Sequence, residues 1–361
     1  MLELKTHDEV PRAAEAGGAH AVRASHPSPG RSTPRCRLLL LTALIGLWLP
    51  AASAQGQEVG EGTDAQEGAL FLLLPVGAQG VGLGRAMTAL PSEEGAFWNP
   101  AGLAEQHQRR VMLYRGEQLA GDATAVNLLL PWQRVGTFGL SYLLLDVGSQ
   151  DLRDEFGNVL GSISVRNHVG IASFATSFFQ RIHAGLNMKL VQFRVTCRGQ
   201  CPDLETTSTA YALDAGLQIE PFSGVPLRLG WMLAHAGTEF QILNQEQADP
   251  LPTRIRFAAA YEILNHVVED PSFNLWLTLE TEDRARDLGS PSLYAGLNFS
   301  AADLFYVRAG YVGGELDQTD GAAVGVGFRF DRFDLNLAKS LTRSMITGES
   351  EPIHVTFGVV F

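Results

Sequence analysis

Apolar and polar side chains alternate along much of this sequence, and this alternation limits the fold more than any other feature does. In the segment 273–280, Phe273, Leu275 and Leu277 point to one face, and the intervening residues point to the other. Such a segment predicts a β-strand with one continuously apolar face. The same pattern recurs at 211–219, 226–233, 253–262, 293–299, 305–311, 324–330, 333–337 and 354–361.

The connectors between these segments alternate in length. The tight ones are 131–134, 180–181, 301–303 and 331–332. The long, polar ones are 147–165, 196–207, 238–252, 284–290, 313–320 and 342–353. Short periplasmic turns that alternate with longer outer loops are typical of outer-membrane barrels. With about fourteen segments after Arg109, the sequence predicts an all-β fold, a transmembrane antiparallel β-barrel of about 14 strands.

The segment 354–361 carries a second indication of a barrel. Val355, Phe357, Val359 and Phe361 form one apolar face, and the sequence stops on the aromatic residue. This ending is similar to the C-terminal signal that the barrel-assembly machinery of outer membranes reads. We therefore expect that machinery as a partner through Phe361, and outer-membrane lipid as the surroundings. A soluble sandwich, which alternation alone also allows, gives no account of this ending.

Residues 35–54 have the pattern of a secretory signal peptide. Arg35 and Arg37 precede an apolar core at 38–49 that is too short to span a bilayer. Small residues follow up to Ala54, so we expect cleavage near Ala54 and localisation in a Gram-negative-type outer membrane. A membrane anchor is the alternative interpretation.

Charge and cysteine usage narrow the classes of partner and of chemistry. The formal net charge is −12, so no nucleic acid is expected as a partner. Cys197 and Cys201 would meet an oxidising compartment, which predicts a disulfide between them. A redox or metal site is the alternative, but no histidine lies close in sequence, so we expect no metal and no cofactor.

No catalytic motif accompanies the strand pattern. The sequence lacks H-E-x-x-H, G-x-S-x-G and a calcium-binding loop, so we expect no enzyme; a hydrolase assembled across strands is the alternative. The inward positions carry charges of both signs, which predicts ion pairs that brace the lumen. The alternative for Arg254 and Arg256 is that they bind the carboxylate of a ligand. These lumen charges are Lys189, Asp214, Arg228, Arg254, Arg256, Glu262, Glu280, Arg308, Arg329 and Asp334.

The segment 74–104 does not follow the strand pattern. It begins with a glycine cluster and continues to GAFWNPAGLA at 95–104. Asn99 before Pro100 favours an extended or turn conformation, and Gly102 permits close approach to a wall. The glycines match no phosphate-binding loop, so a turn into a short helix is expected.

The stretch VGAQGVGLGRAMTAL followed by EEGAFWNPAGLA resembles the N-terminal segment of the PorV/PorQ family, which is related to FadL-type transporters. The match covers 76–104, and over the barrel it is one of architecture only. The resemblance implies that this segment is a hatch inside a fourteen-stranded barrel. Its ligand-path candidates are Trp98, Asn99, Pro100, Ala101 and Gly102, and simple packing of the plug is the alternative role.

The resemblance implies two functions. FadL-type proteins imply transport of small hydrophobic molecules through the hatch and out sideways, whereas PorV implies a scaffold or shuttle that works with type IX secretion proteins. A broad apolar cavity would favour transport, but the inward residues identified from the alternation are largely polar or small. The predicted divisions are an N-terminal extension with signal peptide at 1–54, a periplasmic N-terminus and hatch at 55–108, and the barrel at 109–361.

Overall fold

The computed structural model describes residues 67–118, 121–200, 205–241, 248–264, 272–314, 321–341 and 353–361. These residues all belong to one compact unit, Thr63–Phe361. The expected signal peptide, its cleavage site at Ala54 and Cys201 lie outside them. Among the described residues, no helix combines the length and the apolarity needed to cross a membrane.

Fourteen of the described strands pair antiparallel with their neighbours and close into a barrel. The seam joins the first strand to the last, from Arg110 opposite Val360 to Gly116 opposite His354. This confirms the predicted fold class. The barrel strands are β1 (Arg110–Gln118), β2 (Gly121–Trp132), β3 (Gly136–Arg153), β4 (Val159–Phe178), β5 (Ile182–Gly199), β6 (Thr206–Ile219), β7 (Leu227–Gly237), β10 (Arg254–Glu262), β11 (Phe273–Arg284), β12 (Ser292–Ala301), β13 (Phe305–Gly314), β14 (Gly321–Phe330), β15 (Phe333–Ser340) and β16 (Ile353–Val360). A small hairpin of β8 (Phe240–Gln241) and β9 (Ala248–Asp249) lies between β7 and β10 in the chain.

The apolar face of the strands points away from the barrel interior. On β5, the side chains of Leu186, Met188 and Leu190 are exposed, whereas those of Asn187 and Lys189 between them are buried. A water-soluble sheet would bury the apolar side of this alternation. An exposed apolar belt around a closed ring is instead the arrangement that faces lipid.

The predicted long loop at 147–165 is wrong. β3 continues to Arg153 and β4 begins at Val159, so only a short turn separates them, and 196–207 is shortened in the same way because β5 reaches Gly199. The side chains of 148–153 are mostly polar and gave no apolar alternation, yet their backbone pairs with 159–165. A register shift between Asp146 and Gly148 marks a bulge at the start of this extended ribbon.

The N-terminal segment, defined here as residues 67–109, lies inside the ring. It contains 3-10 turns at Leu70–Leu73 and Pro100–Leu103 and one short helix, α1 (Ala78–Gly82). The backbone N–H of Ala78 donates to Thr356 Oγ1 on β16 at 2.9 Å, and that of Thr88 donates to Glu280 Oε2 on β11 at 2.8 Å. Asn187 on β5 donates to the carbonyl of Ala96 at 3.0 Å. These strands lie on different sides of a closed ring, so only an interior segment can reach all of them.

A charge on the outer belt should destabilise the barrel strongly. Leu140 is 62% exposed and lies between Phe138 and Tyr142 in the outward apolar face of β3. We expect Leu140→Arg to lower the free energy of unfolding in lipid by about 2–4 kcal/mol, because the cation would lie in hydrocarbon. Phe156→Arg is the matched control, since Phe156 is 88% exposed in the turn between β3 and β4. Equal unfolding midpoints for both variants in a urea titration would contradict a lipid-facing belt.

Candidate functional site

An apolar cluster fills the interior at the end of the barrel that carries the longer connectors. Phe71, Leu72 and Leu74 of the N-terminal segment pack against it from within. The expectation of a largely polar or small-residue lumen is therefore wrong for this half. We call this packed cluster the apolar chamber. Its barrel-wall members are Tyr114, Ala123, Ala125, Leu143, Leu145, Val169, Ile171, Val191, Phe193, Ala210 and Ala212, and the connector between β7 and β10 adds Phe240 and Leu251.

The chamber was missed because its strands are apolar on both faces. In the run Leu143-Leu144-Leu145, the first and third residues point inward and are buried, while Leu144 points to the outer face. Alternation cannot assign an inner and an outer side where both are apolar. The break in periodicity at Leu143–Leu145 was the available signal, and a buried strand is one of its ordinary causes.

The predicted lumen charges Arg254 and Arg256 meet carboxylates of the chain itself. Arg254 binds both oxygens of Glu67 in the N-terminal segment at 2.7 Å. Arg256 pairs with Glu282 on β11, which also lies 3.6 Å from Arg254. The two arginines are thus brought together and are held by internal partners.

Glu262 is not part of that group. It lies at the opposite end of β10, which at a rise of about 3.3 Å per residue places it roughly 26 Å from Arg254. Its backbone N–H donates to the carbonyl of Pro226 at 3.0 Å. The three lumen charge candidates therefore do not form one site.

Four side chains form a closed ionic ring at the other end of the interior. Arg110 Nη1 lies 2.6 Å from Glu93 Oε1 and 2.7 Å from Asp334 Oδ2. Arg329 contacts the same two carboxylates at 2.7 Å and 2.5 Å. Burial would raise the pKa of the Glu93 carboxyl, but Arg110 and Arg329 outweigh burial and hold that pKa below its ordinary value. The ring joins the N-terminal segment to β1, β14 and β15.

The neighbouring carboxyl, Glu94, has a different environment. It accepts hydrogen bonds from the backbone N–H groups of Gln79 and Gly80 at 3.2 and 3.0 Å and from Thr356 Oγ1 at 3.1 Å. Burial raises the pKa of Glu94 to about 7, against the opposing effect of these donors and of Arg308. Glu94 therefore changes charge near neutral pH at a point that joins α1 to β16.

All five ligand-path candidates, Trp98 to Gly102, are buried. Asn99 Oδ1 accepts the N–H of Ala101 at 3.0 Å and so caps the 3-10 turn, while its Nδ2 donates to the carbonyl of Thr88 at 2.7 Å. Trp98 Nε1 donates to the carbonyl of Val76 at 2.9 Å, and the Arg256 guanidinium lies 5.6 Å from the Trp98 ring centroid. These contacts join parts of the segment to one another and to the wall.

Two glycines of the wall make the close approach of this turn possible. A Cβ atom at Gly216 on β6 would collide with Asn99 Oδ1, and one at Gly185 on β5 would collide with the backbone of Pro100. Only glycine leaves room for the turn at these two positions. Glycine in the middle of a strand was the sequence signal for this docking place.

A cavity of about 510 Å³ opens below the ionic ring. Its lining is mainly polar and includes Glu105, Asp303, Tyr306 and Arg308. It is therefore a polar vestibule at the end with the short turns, in contrast to the apolar chamber at the other end.

Glu105, His183 and Glu220 lie close enough together to form a set of metal ligands. However, Arg228 already lies between the two carboxylates, with Nη1 at 2.5 Å from Glu105 Oε1 and Nη2 at 2.7 Å from Glu220 Oε1. The guanidinium supplies the positive charge that a metal would bring. The arrangement is that of an ion-pair network joining the N-terminal segment to β5 and β7.

Cys197 is disulfide-bonded and lies near the end of β5. Its expected partner, Cys201, lies outside the described residues, so the pairing stays a prediction.

Comparison with known proteins gives similarity of fold. No family model matches the chain, which leaves the PorV/PorQ resemblance without a family match, and no curated protein matches it. Among solved structures, the CymD monoaromatic hydrocarbon channel has a TM-score of 0.56 at 11% identity and covers 80% of this chain and 98% of its own. The Pseudomonas putida toluene transporter TodX has a TM-score of 0.51 at 11% identity, with 78% and 98% covered. A Pseudomonas aeruginosa FadL homologue matches at a TM-score of 0.49 and 11% identity, with 80% and 97% covered.

Removing the Asn99 side chain should loosen the N-terminal segment without opening the barrel. Asn99→Ala loses the cap and the bond to Thr88, together worth roughly 2 kcal/mol. We expect faster amide exchange in 86–104 and unchanged exchange in the barrel strands, measured by mass spectrometry. Asn99→Ser can keep the cap alone and should have a smaller effect. Unchanged exchange together with altered ligand passage would instead support a direct role of Asn99 in a ligand path.

The two adjacent carboxyls should give opposite pH dependences. The raised pKa of Glu94 means that its contribution to stability is full below about pH 4.5 and is lost as pH rises through 7. From pH 5 to 8, the melting temperature of the wild type should therefore fall relative to that of Glu94→Gln. Glu93, with its lowered pKa, contributes above pH 4.5 and loses that contribution only in stronger acid. A wild-type curve parallel to that of Glu94→Gln would contradict the assignment.

Proposed function

We propose that this protein is an outer-membrane channel for small hydrophobic molecules and that its N-terminal segment acts as the hatch. The observation that carries this proposal is the apolar lining of the closed barrel at the end with the longer connectors, against which side chains of the N-terminal segment pack. A barrel that passes hydrophilic solutes has a polar, water-filled lumen. An enclosed apolar wall, with Val169 and Val191 facing inward, instead favours the partition of apolar molecules out of water.

The similar folds support the same class of cargo. CymD is described as a monoaromatic hydrocarbon channel and TodX as a toluene transporter, and both barrels extend over most of this chain. Small apolar or aromatic molecules are thus the cargo that we propose. The exposed apolar belt supports placement in an outer membrane, with the longer connectors outside and the short turns on the periplasmic side.

Passage requires the N-terminal segment to move. Phe71 and Leu74 occupy the chamber, and Glu67 is held by Arg254 at its edge. Below the chamber, hydrogen bonds from Thr88 to Glu280 and the ionic ring around Glu93 hold the rest of the segment. Because these contacts are polar and distributed, movement of part of the segment does not require all of them to break at once.

The barrel wall next to the chamber has an irregular strand pairing, which is compatible with a sideways exit of the cargo into the lipid. The pairing of β6 with β7 shifts register between Leu213 and Ala215. At this point the Asp214 carboxylate accepts the backbone N–H of His235 at 2.8 Å, in place of a regular ladder bond. A bulge of this kind is a local weakness in a barrel wall and often lies beside functional sites.

The test compares two cross-strand valine pairs. Val169 and Val191 are opposite each other and point into the chamber, whereas Val307 and Val326 are opposite each other on the lipid face. We expect Val169→Thr with Val191→Thr to slow severalfold the uptake of radiolabelled toluene into intact cells whose outer membrane carries lipopolysaccharide, because two hydroxyls make the chamber polar. Val307→Thr with Val326→Thr should leave uptake unchanged.

Two outcomes would contradict the transport proposal. One is wild-type uptake no faster than in the same cells without the protein, and the other is equal uptake by both valine double variants. Recovery of a stoichiometric secretion-system protein, with no uptake, would favour the PorV-like scaffold that the sequence resemblance also implies. Native mass spectrometry of protein extracted in mild detergent distinguishes a retained apolar molecule from a retained protein.

A further inference from the structure

A row of charged side chains crosses the outer face of neighbouring strands at the end with the longer connectors. Asp122 on β2 is opposite Asp146 on β3, which is opposite Arg166 on β4, which is opposite Arg194 on β5. Arg115 on β1 joins the row through Asp122, with 2.6 Å between Nη2 and Oδ2. The row is therefore continuous over five strands.

The row has an unbalanced positive charge at β4 and β5. Arg166 Nε contacts Asp146 Oδ2 at 3.0 Å, but among the described residues no carboxylate pairs with Arg194. Two like charges directly opposite each other destabilise a strand pair. An anion supplied from outside the protein would offset this repulsion, although the chain as a whole has a net charge of −12.

The row lies at the border of the lipid-facing belt. The exposed apolar part of β5 begins at Leu190, four residues before Arg194. At a rise of about 3.3 Å per residue, Leu190 lies roughly 13 Å along the strand from the row. Tyr142 lies at the level of Leu190, and its hydroxyl forms a hydrogen bond of 2.7 Å with Nδ1 of His168, which lies between the two levels. A tyrosine below a row of arginines is typical of the boundary between hydrocarbon and headgroups.

Hydroxyl groups and a further arginine continue the same face beyond the row. Ser164 is opposite Thr196, and Ser162 is opposite Arg198. The side chains of Arg115 and Arg166 are 56% and 52% exposed, so a ligand can approach them from outside. The face thus offers charged donors at headgroup level and neutral donors above it, which matches a phosphate attached to a sugar.

We propose that this row, with Arg166 and Arg194 at its centre, binds the phosphate groups of a phosphorylated glycolipid of the outer leaflet, of the lipid A type. The lipid chains would lie along the apolar belt below Leu190, while the sugar would meet Ser164 and Thr196. This inference rests on the outer-membrane placement proposed above, but not on transport.

The test measures lipid retention by native mass spectrometry of the purified protein in detergent. The wild type should retain lipid A that carries both phosphates and should bind its enzymatically dephosphorylated form far more weakly. Arg166→Gln with Arg194→Gln should weaken retention roughly thirtyfold, since each cation near an anionic surface contributes about fivefold. Arg134→Gln with Arg332→Gln removes two exposed arginines from the short turns and should retain lipid A as the wild type does.

Three results would overturn the proposal. They are equal retention of the phosphorylated and dephosphorylated lipids, undiminished retention by Arg166→Gln with Arg194→Gln, and displacement of lipid A by inorganic phosphate, which would identify a site for free anions. Toluene uptake by the same double variant should equal that of the wild type. If the wild type takes up toluene normally but binds no lipid A, only this inference is refuted. If the wild type binds lipid A but does not take up toluene, only the channel proposal is refuted.

Discussion

Closure of the hydrogen-bonded ring is the constraint on which the rest of this structure depends. In hydrocarbon no water is available to the backbone, so every N–H and C=O of a spanning strand must find a partner in a neighbouring strand. Here β1 pairs with β16, and no barrel strand is left as an edge among the described residues. Closure also separates two environments, because one side of each strand then faces lipid and the other faces an enclosed interior.

The enclosed interior explains why so many charges lie within a membrane protein. A charge removed from water must be paired, and the N-terminal segment supplies three carboxylates for wall arginines: Glu67 for Arg254, Glu93 for Arg110 and Glu105 for Arg228. Arg254 and Arg228 lie on the adjacent strands β10 and β7, near opposite ends of them, whereas Arg110 lies across the ring on β1. The three pairs fix the position of the segment with strongly directional contacts and leave the apolar chamber to be filled by Phe71 and its neighbours.

Division of the interior into an apolar half and a polar half gives the proposed channel its physical basis. The chamber lowers the free energy of an apolar molecule that enters from outside, while the ion pairs and the polar vestibule below it do not. An apolar molecule that has entered therefore has a lower free energy beside the apolar wall than in the polar vestibule. The interrupted pairing of β6 with β7 lies at the level of the chamber, where a route to the lipid would be shortest.

The sequence by itself determined the strand class, the number of barrel strands and the outward apolar belt, because period-two alternation is a local property of each strand. It also located the special segment at 95–104, since proline and glycine restrict the backbone locally. It did not reveal the chamber, because Leu143 to Leu145 are apolar on both faces, nor the ribbon at 148–153, whose polar residues pair without any alternation.

Only the tertiary structure decided which charges meet. Glu67 and Arg254 are separated by 187 positions in the chain, and Glu93 and Arg329 by 236, so no local pattern pairs them. Nor could the sequence show that Asn99 fits against Gly216, or that Arg166 and Arg194 are opposite each other on the outer face. Each of these contacts depends on the register between strands, and register is fixed only when the whole ring closes around its interior segment.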